Sequence, residues 1–149
     1  MKLKIYADTS VLGGCFDDEF MEPSKQLIDD FKIGEKILVI SDLTLREIEN
    51  APQKVKDVLE SIPVEFRDYV ILDDEAKHLA QRYIEERAVS LRSLVDAQHI
   101  AIATINRVDV LVSWNFKDIV NLRMIQLFNA TNLKYGHPLI EIRSPIEVI

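Results

Sequence analysis

The sequence is poor in cysteine, glycine and proline, in positive charge and in long apolar runs. Cys15 stands alone among 149 residues, so no internal disulfide can staple the fold and a reducing compartment is expected. Four glycines and five prolines fit neither a collagen-like fibre nor a disordered low-complexity chain. No stretch approaches the roughly 20 apolar residues of a membrane span. Lys2, Lys4, Tyr6 and Asp8 break up the N-terminus, so no secretory leader is expected there. These absences together lead us to expect a soluble, cytoplasmic protein that does not engage a membrane. Lys and Arg number 18 against 25 Asp and Glu, for a net charge of −7. Such a balance argues against coating nucleic acid by electrostatics alone. It does not exclude a nucleic-acid enzyme, because a divalent cation inverts the local field of an acidic pocket.

What is present is globular. Hydrophobic residues make up 48% and charged residues 29%, and a chain this long can bury about 70% of its unfolded surface. A single domain over residues 1–149 is expected. Leu3, Ile5 and Ala7 alternate with Lys4 and Tyr6 in "KIYADTSVLGG", which reads as a strand running into a turn. "EPSKQLIDDFKIGE" reads as a helix with Gly34 past its end. "KILVISD" is a strand covered on both faces, and "LTLREIENAPQKVKDVLESIP" gives two helical pieces broken near Pro52. "YVIL" reads as a short strand and "DDEAKHLAQRYIEERA" as a helix with an acidic cap. "SLRSLVDAQHIAIATINRV" carries the strongest helical pattern, and "DVLVSW" is a second buried strand. "FKDIVNLRMIQLFNATNLKYG" reads as a helix trailing into a polar loop, and "LIEIRSP" as a final strand. Strands alternating with helices predict a three-layer α/β/α sandwich with a mainly parallel central sheet, Rossmann-like in type.

That architecture has a polarity. The C-terminal ends of parallel strands share one edge with the N-termini of the helices that follow, and ligands bind along it. Asp8 ends the first strand, Glu47 and Asp96 lie in early helical turns, and Asn115 and Asp118 follow "DVLVSW". Clustered carboxylates suit a hard cation such as magnesium or manganese, which activates water and stabilises a leaving oxygen in phosphodiester cleavage. Each acid also has a structural alternative. Thr44-x-x-Glu47 and Ser93-x-x-Asp96 match a capping box, and Asp8 suits an Asx-turn. His99 stands one turn after Asp96 and could face the site, although a lone histidine on a helix is more often a surface or packing residue. Trp114 reads as core rather than a base-stacking platform, Gly13 and Gly14 lack the spacing of a phosphate loop, and Cys15 has no activating partner. Lys117, Arg123 and Arg46 read first as ordinary solvated charges, with phosphate contacts as the alternative.

These motifs resemble those of the PIN-domain family over essentially the whole chain. "YADTSVLGG" is similar to the family's opening strand and turn, "SDLTLREIE" to its second acidic motif, "DAQHIAIAT" to its third, and "LVSWNFKDIVN" to its fourth. The resemblance implies a PIN-like fold and a metal-dependent endoribonuclease that hydrolyses RNA phosphodiester bonds, as in VapC-like toxins of type II toxin–antitoxin pairs. It implies Mg²⁺ or Mn²⁺ held by Asp8, Glu47 and Asp96, with Asn115 completing the catalytic set. It further implies a homodimer and a small antitoxin partner. Asn115 stands where the family usually has an acid. Its amide, together with Ser10 and Ser113, would orient water and ligands, and Asp118 is the alternative fourth acid. A non-catalytic PIN-like binding or scaffold module is the alternative function. A receiver-type phosphotransfer domain ranks last, since it needs a paired acid at the first strand and a lysine at a later one.

Overall fold

The computed structural model describes residues 1–86 and 88–149. Arg87, which falls in the last turns of the helix expected from "DDEAKHLAQRYIEERA", lies outside them. Five strands, β1 (Lys4–Ala7), β2 (Ile37–Ser41), β3 (Arg67–Val70), β4 (Val110–Val112) and β5 (Ile142–Arg143), form one sheet in the order β3-β2-β1-β4-β5. Every pairing is parallel, with Ile5 of β1 set against Leu38 on one side and Val110 on the other. The helices are α1 (Thr9–Gly14), α2 (Met21–Lys32), α3 (Asp42–Ile48), α4 (Gln53–Glu60), α5 (Asp74–Glu85), α6 (Leu94–Ile105) and α7 (Leu122–Lys134).

The two faces of the sheet are separated by the strand pleat. Ile5 and Ala7, Leu38 and Ile40, and Val110 and Val112 pack with residues of α1, α2 and α4. Tyr6, Val39, Leu111 and Ile142 pack on the other face with α5, α6 and α7. This is the expected three-layer α/β/α sandwich, PIN-like in arrangement. Tyr6 is fully buried, so β1 is covered on both faces rather than alternating between core and water. No helix among the described residues is long and apolar enough to cross a membrane.

Local chemistry accounts for the helix boundaries. Asp73 caps α5 by accepting from the Ala76 N–H at 2.8 Å, and Pro52 directly precedes α4. Gly34 follows the end of α2 with φ +76°, a left-handed exit that L side chains adopt only at a cost. Two expectations are corrected. The residues after Asp8 form the helix α1 rather than a turn, and the glycine pair lies inside it. Gly14 is there because of space: an added Cβ would lie 2.6 Å from the Ser24 hydroxyl and 2.8 Å from Trp114 Nε1.

The second correction concerns the segment after β4. Residues 116–120 are turn, and α7 begins only at Leu122. Asn121 closes the turn by donating to the Phe116 and Lys117 carbonyls, and its Oδ1 accepts from the Met124 N–H. The helix then runs through "NATN", which had read as loop. Asn132 is buried there and accepts from the Tyr83 hydroxyl of α5 at 2.5 Å.

Candidate metal and phosphodiester site

The strand order reverses direction at β1, whose neighbours β2 and β4 lead away to opposite edges of the sheet. At such a switch point the connections leave for opposite faces and open a crevice beyond the strand C-termini. Asp8 follows β1 and Ser113–Asn115 follow β4, so both lie at that crevice. The adjacent buried strands β1 and β4 thus place these loops side by side.

Asp8 is held firmly. Its Oδ1 accepts from the Ser10 hydroxyl at 2.5 Å and the Ser10 N–H at 3.1 Å, and its Oδ2 accepts from the Ser113 hydroxyl at 2.6 Å. The Ser10 oxygen also receives the Trp114 N–H, and the Ser113 oxygen receives the Asn115 N–H. Burial pushes the Asp8 carboxyl up from its ordinary range, against the opposing pull of these donors and of His99. Asp8 is also the N-cap of α1, so its structural alternative is realised alongside its place in the crevice.

For the other two acids the capping-box alternative fails, although Asp96 does lie in the first turn of α6. The cap of α3 is Ser41, which accepts from the Thr44 N–H, and Thr44 is an interior residue. Ser93, the cap of α6, makes no side-chain capping bond. Glu47 and Asp96 are therefore not capping-box partners. Asp96 lies 3.5 Å from the Asn115 side-chain amide, and the Asn115 Oδ1 accepts from the Asp118 N–H at 3.0 Å. Burial first, then the charge of Asp118, with Asp8 and Glu47 contributing, raise the Asp96 carboxyl to about 6 against the opposing pull of His99. The turn after β4 brings Asp118 to the cluster.

Glu47 has a different environment. Its Oε1 receives the His99 ring nitrogen Nε2 at 2.5 Å and the Thr9 hydroxyl at 3.1 Å. Burial alone would raise its carboxyl, but the His99 hydrogen bond and charge, helped by Thr9, outweigh this and hold it below the usual range. His99 is 2% exposed and bonded to Glu47, which is the site-facing alternative of its sequence reading. Its signal in the sequence was its place three residues after Asp96, on the same helical face. Trp114 is core as expected: it stacks on Phe20 at 4.2 Å between centroids and donates to Ser24. Cys15, the C-cap of α1, is buried, and burial raises its thiol against the pull of Lys25 and Lys32.

The donor chemistry suits a hard divalent cation. Among the described residues no Lys, Arg or His forms an ion pair with Asp8, Asp96 or Asp118, and the available ligand atoms are carboxylate, amide and hydroxyl oxygens. The expected grouping of Asp8, Glu47 and Asp96 is not preassembled: among the described residues no three His, Cys, Asp or Glu form a group that would hold an ion as they stand. A cleft lined by Ser90, Leu91, Ser93, Arg123 and Met124 opens beside the cluster, with Asp118 as its shared wall.

By sequence, the chain matches no protein-family description and no curated protein. By structure, it superposes on VapBC2 from Rickettsia felis bound to a DNA fragment from their promoter with a TM-score of 0.60 and 9% identity, covering 95% of this chain and 98% of that one. FitAcB from Neisseria gonorrhoeae gives a TM-score of 0.60 at 13% identity, again over 95% and 98% of the two chains. The sarcin–ricin loop cleaving toxin VapC20 from Mycobacterium tuberculosis gives 0.55 at 13% identity, over 72% and 86%. At such identities the likeness is one of fold, and it agrees with the motif order in the sequence: the chain has the PIN-like fold of the VapC and FitB toxin structures.

Proposed function

We propose that this protein is a metal-dependent endoribonuclease that hydrolyses RNA phosphodiester bonds, with residues 1–149 working as one PIN-like domain. The observation that carries the reading is the linking of Asp8, Asp96 and Asp118 to the loop after β4 through Ser113 and Asn115 at the crevice between β1 and β4, where none of the three forms an ion pair among the described residues. Asp8, Glu47 and Asp96 would hold Mg²⁺ or Mn²⁺. The bound ion would supply positive charge for the phosphoryl oxygens and lower the pKa of water.

The chain's own residues then have distinct tasks. Ser10 and Ser113 fix both oxygens of Asp8, so this carboxylate loses little freedom when a ligand arrives. Asn115 offers its amide at the place where the acidic loop turns, and orients water and ligands rather than acting as a base. The exposed cations Lys117 and Arg123 stand on the turn and on the cleft wall, where an RNA backbone approaching the crevice would meet them. VapBC and FitAB complexes share this fold, which supports a small antitoxin as a protein partner. A homodimer and a cytoplasmic setting belong to the same reading.

Cleavage of single-stranded RNA in the presence of Mn²⁺ tests it. Asp8→Asn and Asp96→Asn should each abolish cleavage while circular dichroism shows an intact fold. Retained metal-dependent cleavage in both variants sinks the assignment. Asn115 in place of an acid and the unassembled carboxylate group favour a second reading, a non-catalytic PIN-like binding module. Calorimetry that detects no Mn²⁺ binding, together with no cleavage of any RNA, would select it.

A further inference from the structure

His99 sits at the end of a buried hydrogen-bonded chain that starts under the sheet and finishes on Glu47. The Ser41 hydroxyl lies 2.8 Å from the Tyr6 hydroxyl, Tyr6 lies 2.6 Å from His99 Nδ1, and His99 Nε2 lies 2.5 Å from Glu47 Oε1. The partners assign the hydrogens. A carboxylate accepts only, so Nε2 carries the N–H. In the neutral ring Nδ1 then accepts from the Tyr6 hydroxyl, the Tyr6 oxygen accepts from Ser41, and His99 donates to Glu47. Every link has one hydrogen, and all point the same way.

The foundations of this chain are rigid and its tip is not. Tyr6 and Ser41 are fully buried at β1 and β2, and His99 is buried on α6, with its ring edge-on to Tyr6 at 5.7 Å. Glu47 is a flexible side chain that leaves about a third of its surface exposed, 34%. Unheld, it would sample several rotamers in water. His99 from α6 and Thr9 from α1, next to Asp8, pin it instead.

We propose that His99 is a positioning residue, which holds the Glu47 carboxylate beside Asp8 in an orientation set by Tyr6 and Ser41, so that Glu47 can join Asp8 and Asp96 in ligating a divalent cation. The inference rests on the metal-dependent reading above. Ligating carboxylates are themselves commonly oriented by such outer partners, and loss of the partner typically weakens metal affinity by about 10–100-fold.

Mn²⁺ binding to the full chain, followed by calorimetry, tests this without reference to cleavage. His99→Leu should weaken binding by about 10–100-fold. His99→Gln, whose amide nitrogen falls near the place of Nε2, should stay within about threefold of wild type. Tyr6→Phe keeps the packing and does not touch Glu47, yet frees the ring tautomer and should weaken binding by about three- to tenfold. His99→Leu should add nothing further to Glu47→Gln. A purely structural role predicts lower melting temperatures with unchanged Mn²⁺ affinity, and that result in Tyr6→Phe and His99→Leu overturns the proposal. Should His99→Leu not fold, Tyr6→Phe against His99→Gln decides it alone. Wild-type affinity in Asp8→Asn and Asp96→Asn overturns the metal reading itself. Their loss of binding beside unaffected His99 and Tyr6 variants overturns only the role of His99.

Discussion

Asp96→Asn should stabilise the protein when metal is withheld. In the fold its carboxyl is raised from 3.8 to about 6, by burial and then by Asp118, Asp8 and Glu47. A shift of about 2 units at ~1.4 kcal/mol per unit sets an upper bound near 3 kcal/mol. Partial exposure of Asp96 screens this to roughly 2 kcal/mol. Asparagine also forfeits the favourable charge in the first turn of α6, about 0.3–1 kcal/mol. The net gain is therefore roughly 1–2 kcal/mol, a rise in melting temperature of roughly 3–6 °C for a chain of this size.

The pH dependence has a definite sign. Because Asp96 holds its proton more tightly in the fold than in the unfolded chain, its contribution to stability falls as pH climbs from 3.8 through about 6. The advantage of Asp96→Asn is therefore absent near pH 4, grows across that window and is complete at about pH 7. Thermal denaturation in chelator at several pH values reads it directly. Addition of Mn²⁺ should reverse the order, since an ion that binds the native state stabilises wild type by mass action. A variant that melts clearly below wild type at neutral pH in chelator would refute the reasoning. It would mean that Asp96 is chiefly a partner of the α6 N-terminus.

Other perturbations give separate checks. Ser113→Ala removes a 2.6 Å donor from buried Asp8, and should cost about 1–3 kcal/mol in denaturant unfolding and about 10–100-fold in cleavage rate. Asn115→Asp places another acid where 3.5 Å now separates amide from Asp96; it should lower the melting temperature in chelator and tighten Mn²⁺ binding in calorimetry. Gly14→Ala drives a methyl against Ser24 and Trp114 and should cost about 1–3 kcal/mol, with a change in tryptophan fluorescence as Trp114 shifts.

Strand polarity made much of this site legible in the sequence. Asp8 and Asn115 lie at strand ends, and a parallel sheet leaves those ends only one edge. What escaped depends on partners distant in the chain. Gly13 and Gly14 looked like a turn because nothing local reveals that Trp114 and Ser24 need the space above a helix. Asn129 and Asn132 looked like loop residues, yet Asn129 bonds Ile140 and Asn132 bonds Tyr83, 11 and 49 residues away. The capping patterns around Glu47 and Asp96 misled for the reverse reason. They are local and genuine as patterns, but Ser41 had already taken the cap of α3, and Ser93 does not bend back. For His99 the sequence offered the site-facing alternative but could not choose it, because its partners Tyr6 and Glu47 lie on two other elements.

The central position of β1 also sets when the candidate site can be completed. Asp8 is made well before Ser113, which fixes its second oxygen and lies 105 residues downstream. The main-chain pairing of β1 with β4 spans a similar separation. Long-range parallel pairing of this kind forms late and slowly. A ribosome-bound chain thus carries an incomplete site until Asn115 has emerged and β4 has docked. During that interval the open edge of β1 is exposed to wrong pairing.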